Sequence, residues 1–119
     1  MFVALVAMFC GWSHAAHAAR FTGSYLLYVC DKDERGREKV AGGHAVCQSY
    51  ISGVIDYHNV LRSLRLAPQV NICVPETETL NGVHDIVLGY LRQNAQHDSF
   101  VAAPAVLMAL YQVHPCRSR

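Results

Sequence analysis

At 119 residues the chain has room for one domain and one modest hydrophobic core. It is 52 % hydrophobic and only 16 % charged, which excludes an intrinsically disordered chain. A formal net charge of +1 excludes the strongly basic surface that nucleic acid would demand, and nothing in the balance points to an anionic membrane.

Taken in chain order, Phe2–Cys10 is an apolar run followed by the small-residue tract SHAAHAA, in which Ala16-His17-Ala18 has the A-x-A form of a signal-peptidase site. The pattern predicts a signal peptide over residues 1–18, cleaved to leave a mature domain of 19–119. The run is shorter than the roughly 20 apolar residues of a membrane span, so the mature form is expected to carry no membrane segment. No Lys or Arg precedes it, which is atypical. Phe9 is too bulky for Cys10 to complete a lipobox.

Phe21–Cys30 carries Phe21, Tyr25, Leu26, Val29 and Cys30 at helical spacing, with Thr22 or Ser24 as a cap. Asp31–Lys39 holds four acids and four bases, which cancel; it reads as a solvated loop. Ala45–Leu64 is the central helix, with Cys47, Tyr50, Ile51, Val54, Ile55, His58, Leu61 and Leu64 on one face. Arg65–Pro75 is irregular, broken by Pro68 and Pro75. A third helix is expected from about Pro75, with Leu80, Val83, Val87, Tyr90 and Leu91 facing the core. A fourth is expected from about Asp98 or Ser99 to His114-Pro115. The predicted fold is all-α, a small single-domain bundle of about four helices.

Gly53 lies inside the central helix, where it costs roughly 1 kcal/mol relative to Ala. A close helix crossing would justify it, with Gly82 and Gly89, seven apart on one stripe of the third helix, as the opposing seam.

With Cys10 removed, four cysteines remain, an even number suited to disulfides in an exported domain. Cys30 ends the first helix and Cys47 opens the second; Cys73 precedes the third and Cys116 follows the fourth. Antiparallel hairpins would therefore pair Cys30 with Cys47 and Cys73 with Cys116. The competing reading is metal, because of His44-x-x-Cys47 and His114-Pro-Cys116. The lack of any C-x-x-C pair and an oxidising destination favour disulfides, so no metal and no cofactor is expected. His58, His84 and His97 read as surface or hydrogen-bonded residues. No G-x-S-x-G elbow, phosphate loop or paired carboxylates appear, and the expectation is a binding protein rather than an enzyme.

Five blocks then carry a resemblance: Gly23–Cys30 (G-S-Y-L-L-x-x-C), Cys47–Asp56 (C-x-S-Y-I-S-G-V-I-D), Ile72–Pro75 (I-C-V-P), Ile86–Leu91 (I-V-L-G-Y-L) and Ala109–Cys116 (A-L-Y-x-V-H-P-C). Together they resemble the Rap/Tai family of immunity proteins. The resemblance implies a small periplasmic helical protein, often a homodimer. It would protect a bacterium from a peptidoglycan amidase delivered by type VI secretion by occluding the enzyme's cleft. The contrasting function is a periplasmic acid- or envelope-stress chaperone with no dedicated partner. An occluding inhibitor needs a rigid, protruding element. The proline-bounded loop suits this role, with Leu66, Pro68, Val70 and Ile72 as candidate effector contacts.

Overall fold

The computed structural model describes residues 20–117; the expected signal segment and Cys10 lie outside them. The order is α1 (Gly23–Cys30), α2 (Gly43–Ser63), α3 (Leu80–Gln93), a 3₁₀ turn (Ala95–His97) and α4 (Ala103–Val113). The fold is all-α. Among the described residues, β pairing is confined to three isolated bridges.

Each helix start has a local cause. The Thr22 hydroxyl accepts the Tyr25 amide at 3.2 Å, and the Thr79 hydroxyl accepts the Gly82 amide at 2.9 Å. For α2 the cap position is Gly42, at φ 74°, with no side chain to offer. The Glu38 carboxylate substitutes for it, accepting the amides of Gly42 at 3.0 Å and His44 at 3.2 Å. Those two bonds hold Glu38 below the usual carboxylate range.

Two starts fall later than predicted. The Glu78 amide donates to the Pro75 carbonyl at 3.0 Å and makes a turn there, so α3 waits for the Thr79 cap. Leu80 is consequently the first residue of α3 and is 54 % exposed. The 3₁₀ turn and the Thr22–Val101 bridge occupy the residues before α4, and Pro104 sits in its first turn.

α1 packs on α2 and α3 on α4, while α2 reaches both helices of the second pair. Leu26, Ile51, Val87, Leu91, Val106 and Leu110 fill the space between, each at most 2 % exposed. Full burial of such a side chain contributes about 1.5–3 kcal/mol. Disulfides join Cys30 to Cys47 and Cys73 to Cys116, with Cα atoms 5.0 and 4.9 Å apart.

The glycines expected at a helix crossing are not at one. A Cβ on Gly53 or Gly89 would meet nothing within 4 Å, because both lie on exposed helix faces. One on Gly82 would meet Glu78 and Thr79, at the start of its own helix. The close approaches are elsewhere. A Cβ on Gly43 would stand 2.7 Å from the Val29 carbonyl oxygen, and one on Gly23 would collide with the His97 carbonyl.

The charged loop is also more ordered than its composition suggests. The Asp33 carboxylate accepts the amides of Arg35 and Arg37, each at 2.9 Å. Lys39 and Arg92 both reach Asp31, at 2.8 and 2.6 Å, and with burial opposing them draw its pKa down to about 2. Lys32 pairs with Asp85 on α3. The loop is thus folded on itself and fastened to α3.

Candidate functional site

Beside its core face, α2 carries a second apolar stripe. Tyr57, Val60 and Leu64 follow i, i+3, i+7 spacing and are 66, 50 and 61 % exposed. Leu66, just beyond the helix, is 66 % exposed. Clustered apolar side chains left in solvent mark an interaction surface more often than singly exposed ones do.

The helix end fixes Leu66 in place. Leu64 is the C-cap, and Arg65 follows in the left-handed region at φ 59°. The Arg65 amide donates to the Arg62 carbonyl at 3.0 Å, and the Leu66 amide to the Leu61 carbonyl at 2.7 Å. This is a Schellman closure, whose left-handed position usually takes glycine. An arginine there costs on the order of 1 kcal/mol. Among the described residues, Arg65 alone combines a side chain with positive φ.

An open groove of about 510 Å³ runs alongside, within the size range of ligand sites. Tyr50, Gly53, Val54, Tyr57 and Leu61 of α2 form one wall, with Pro68 of the connector and Ala103 and Leu107 of α4 opposite. Gly53 contributes an absent side chain to this wall, and that openness replaces the crossing expected of it. Tyr25, Tyr28 and Phe100 are exposed as well, but none of them lines the groove.

His58 also lines the groove while only 2 % exposed. Its Nε2 accepts the Ile72 amide at 3.1 Å and lies 2.8 Å from the Asn71 side chain; its Nδ1 has no partner. The same segment is tied to the C-terminus. The Cys73 amide donates to the His114 carbonyl at 2.8 Å, and the Cys116 amide to the Asn71 carbonyl at 3.0 Å.

This stitching corrects part of the expected contact set. Ile72 is 1 % exposed and belongs to the core, so it is not available to a partner. Val70 is half-buried, whereas Leu66 and Pro68 stand in solvent. The helical pattern missed Tyr57 and Val60 and placed Leu64 on the core face, whereas it stands in solvent past the end of the helix. The signal of Tyr57 and Val60 was present as apolar residues lying off the core stripe of α2.

A second cluster lies at the other end of α2. His84 is fully buried; its Nε2 donates to the Cys30 carbonyl at 2.7 Å, and its Nδ1 lies 3.3 Å from the Gln48 amide nitrogen. Burial chiefly pushes its pKa down. The ring of His44 packs edge-on against it, centroids 4.6 Å apart. Among the described residues, Cys30, Cys47 and His84 form the one group whose possible metal-ligating atoms all fall within 4.8 Å of each other. His97 bonds the Tyr90 hydroxyl at 3.0 Å, and His114 bonds Glu78 at 2.9 Å, lowering the glutamate's pKa.

Among the described residues no serine hydroxyl is hydrogen-bonded to a histidine, and all four cysteines are paired. No described helix is long and apolar enough to cross a membrane. The fold and site define a small, disulfide-stapled helical domain with an exposed apolar face beside an open groove. The chain belongs to the Rap1a immunity protein family, whose model matches residues 22–116. That agrees with the resemblance carried by the five sequence blocks. Comparison with curated proteins and with solved structures yields no match.

Proposed function

We propose that the chain is the immunity partner of a peptidoglycan amidase delivered by type VI secretion, and that it acts in the periplasm after loss of residues 1–18. Membership of the immunity family supports binding to a cognate effector. Two disulfides among the described residues suit a chain that matures in an oxidising compartment. The protein has no catalysis of its own in this reading; it acts by covering the enzyme's cleft.

The observation that carries the choice of surface is the exposed run Tyr57, Val60, Leu64 and Leu66 beside the open groove. The Schellman closure holds the end of this run rigid, so little ordering entropy is lost on binding. Aromatic anchors set in apolar surroundings dominate many interfaces.

The test is a calorimetric titration of the cognate amidase with the wild type and with Tyr57→Glu/Leu66→Glu. The double variant should keep its helicity and melting behaviour, bind at least about 100-fold more weakly, and fail to inhibit. Unchanged affinity would reject this surface. Sedimentation of the free chain tests whether the same face pairs two copies when no amidase is present.

A further inference from the structure

We propose that Cys30, Cys47 and His84 form a zinc site when the Cys30–Cys47 disulfide is reduced. The three residues come from α1, α2 and α3, so folding alone brings them together. All three are 0 % exposed, and their ligating atoms already lie within 4.8 Å of one another. Tetrahedral zinc, with Zn–S near 2.3 Å and Zn–N near 2.0 Å, sets neighbouring ligand atoms roughly 3.5–3.8 Å apart. Rotation of the freed cysteine side chains covers that difference.

The surroundings match those of a metal-bound imidazole. A ligating histidine ordinarily gives its other ring N–H to a main-chain carbonyl or a carboxylate, which fixes tautomer and orientation. His84 donates from Nε2 to the Cys30 carbonyl at 2.7 Å, and coordination through Nδ1 would displace the Gln48 amide nitrogen that lies 3.3 Å from it. Two thiolates and one Zn²⁺ sum to zero charge, so the buried cluster carries no unpaired charge. His44 packs edge-on against the His84 ring but its Nε2 lies 3.1 Å from the Asp31 carbonyl, so the fourth coordination position is left to a water.

The chemistry balances in two steps. A dithiol reductant gives two electrons and two protons to the Cys30–Cys47 disulfide, yielding two thiols while the reductant closes its own disulfide. Zn²⁺ then binds the two cysteines as thiolates and releases two protons. In oxidising surroundings the sulfurs bond to each other; in reducing ones the ion would tie α1 to α2 and add α3 to the link.

The experiment titrates Co²⁺, followed by Zn²⁺, into the full chain reduced with a phosphine. Wild type and Cys73→Ser/Cys116→Ser should each bind one ion, with thiolate-to-cobalt charge transfer and the strong visible bands of tetrahedral cobalt, both erased by zinc. Cys30→Ser/Cys47→Ser should show neither. His84→Gln should bind zinc at least about 100-fold more weakly, since even outer-shell partners are worth 10–100-fold. Should the Cys73→Ser/Cys116→Ser protein fail to fold, the comparison of wild type with His84→Gln decides. A helical reduced chain without thiolate–cobalt absorption would overturn the proposal, as would equal binding by the oxidised chain or unchanged affinity in His84→Gln.

Discussion

Alanine placed at two glycines of α2 should shift stability in opposite directions. At Gly53 the added methyl meets nothing within 4 Å and the backbone is helical, so the full propensity gain is available. That gain is up to about 1 kcal/mol. At Gly43 the same methyl would stand 2.7 Å from the Val29 carbonyl oxygen, a main-chain atom that α1 holds in place. Relieving that overlap means prising α1 from α2 beside the Cys30–Cys47 bridge, a cost of about 1–3 kcal/mol. For a domain of this size 1 kcal/mol corresponds to about 4–8 °C in melting temperature. Gly53→Ala should therefore melt up to about 4–8 °C above wild type and Gly43→Ala at least about 4 °C below it. Far-ultraviolet circular dichroism of the oxidised proteins reads both. A destabilising alanine at 53, or a harmless one at 43, would refute the assignment of the helix crossing. Gly53→Leu extends the test: it should fold normally while blocking the groove, and so weaken amidase binding.

Three further outcomes follow from the same geometry. Cys73→Ser/Cys116→Ser opens a link between residues 43 apart in sequence and should cost about 4 kcal/mol by the chain-entropy relation, read from urea unfolding. Asp31, drawn down to about 2 by Lys39 and Arg92, contributes stability that is fully present above the ordinary aspartate range and is lost as pH falls from about 4 through about 2. Carboxyl NMR titration should place its midpoint below the ordinary aspartate value, and Arg92→Gln should move it back upward. Arg65→Gly removes a side chain from a left-handed position and should stabilise by about 1 kcal/mol in the same urea assay; an unchanged or lowered midpoint would refute the strain assigned to Arg65.

Helical periodicity made most of the fold legible. Val83, Val87, Tyr90 and Leu91 could be placed in the core because their 3.6-residue pattern is strong, and the two cysteine pairs followed from the order of the helix ends. What failed depended on tertiary placement. Glycine reports only that a backbone lacks a side chain, so Gly53 facing open groove and Gly43 facing a carbonyl read alike in sequence. Ile72 looked like a loop anchor, but the His58 acceptor and the Cys73–Cys116 tie draw it inward. Nothing in the residue type of Arg65 signals a left-handed closure, and Glu38 gives no sign that it caps a helix beginning five residues later. His84 is 37 residues from Cys47, and only the packing of α3 against the first hairpin brings it to the disulfide.

The central claim, that the exposed end of α2 is the face presented to an amidase, is tested most directly by hydrogen–deuterium exchange of the chain free and in complex with its cognate enzyme. Binding there should slow exchange across residues 57–70 and at the start of α4, with the Asp31–Lys39 hairpin unchanged. Protection confined to that hairpin, with the α2 end exchanging as in the free chain, would contradict the account.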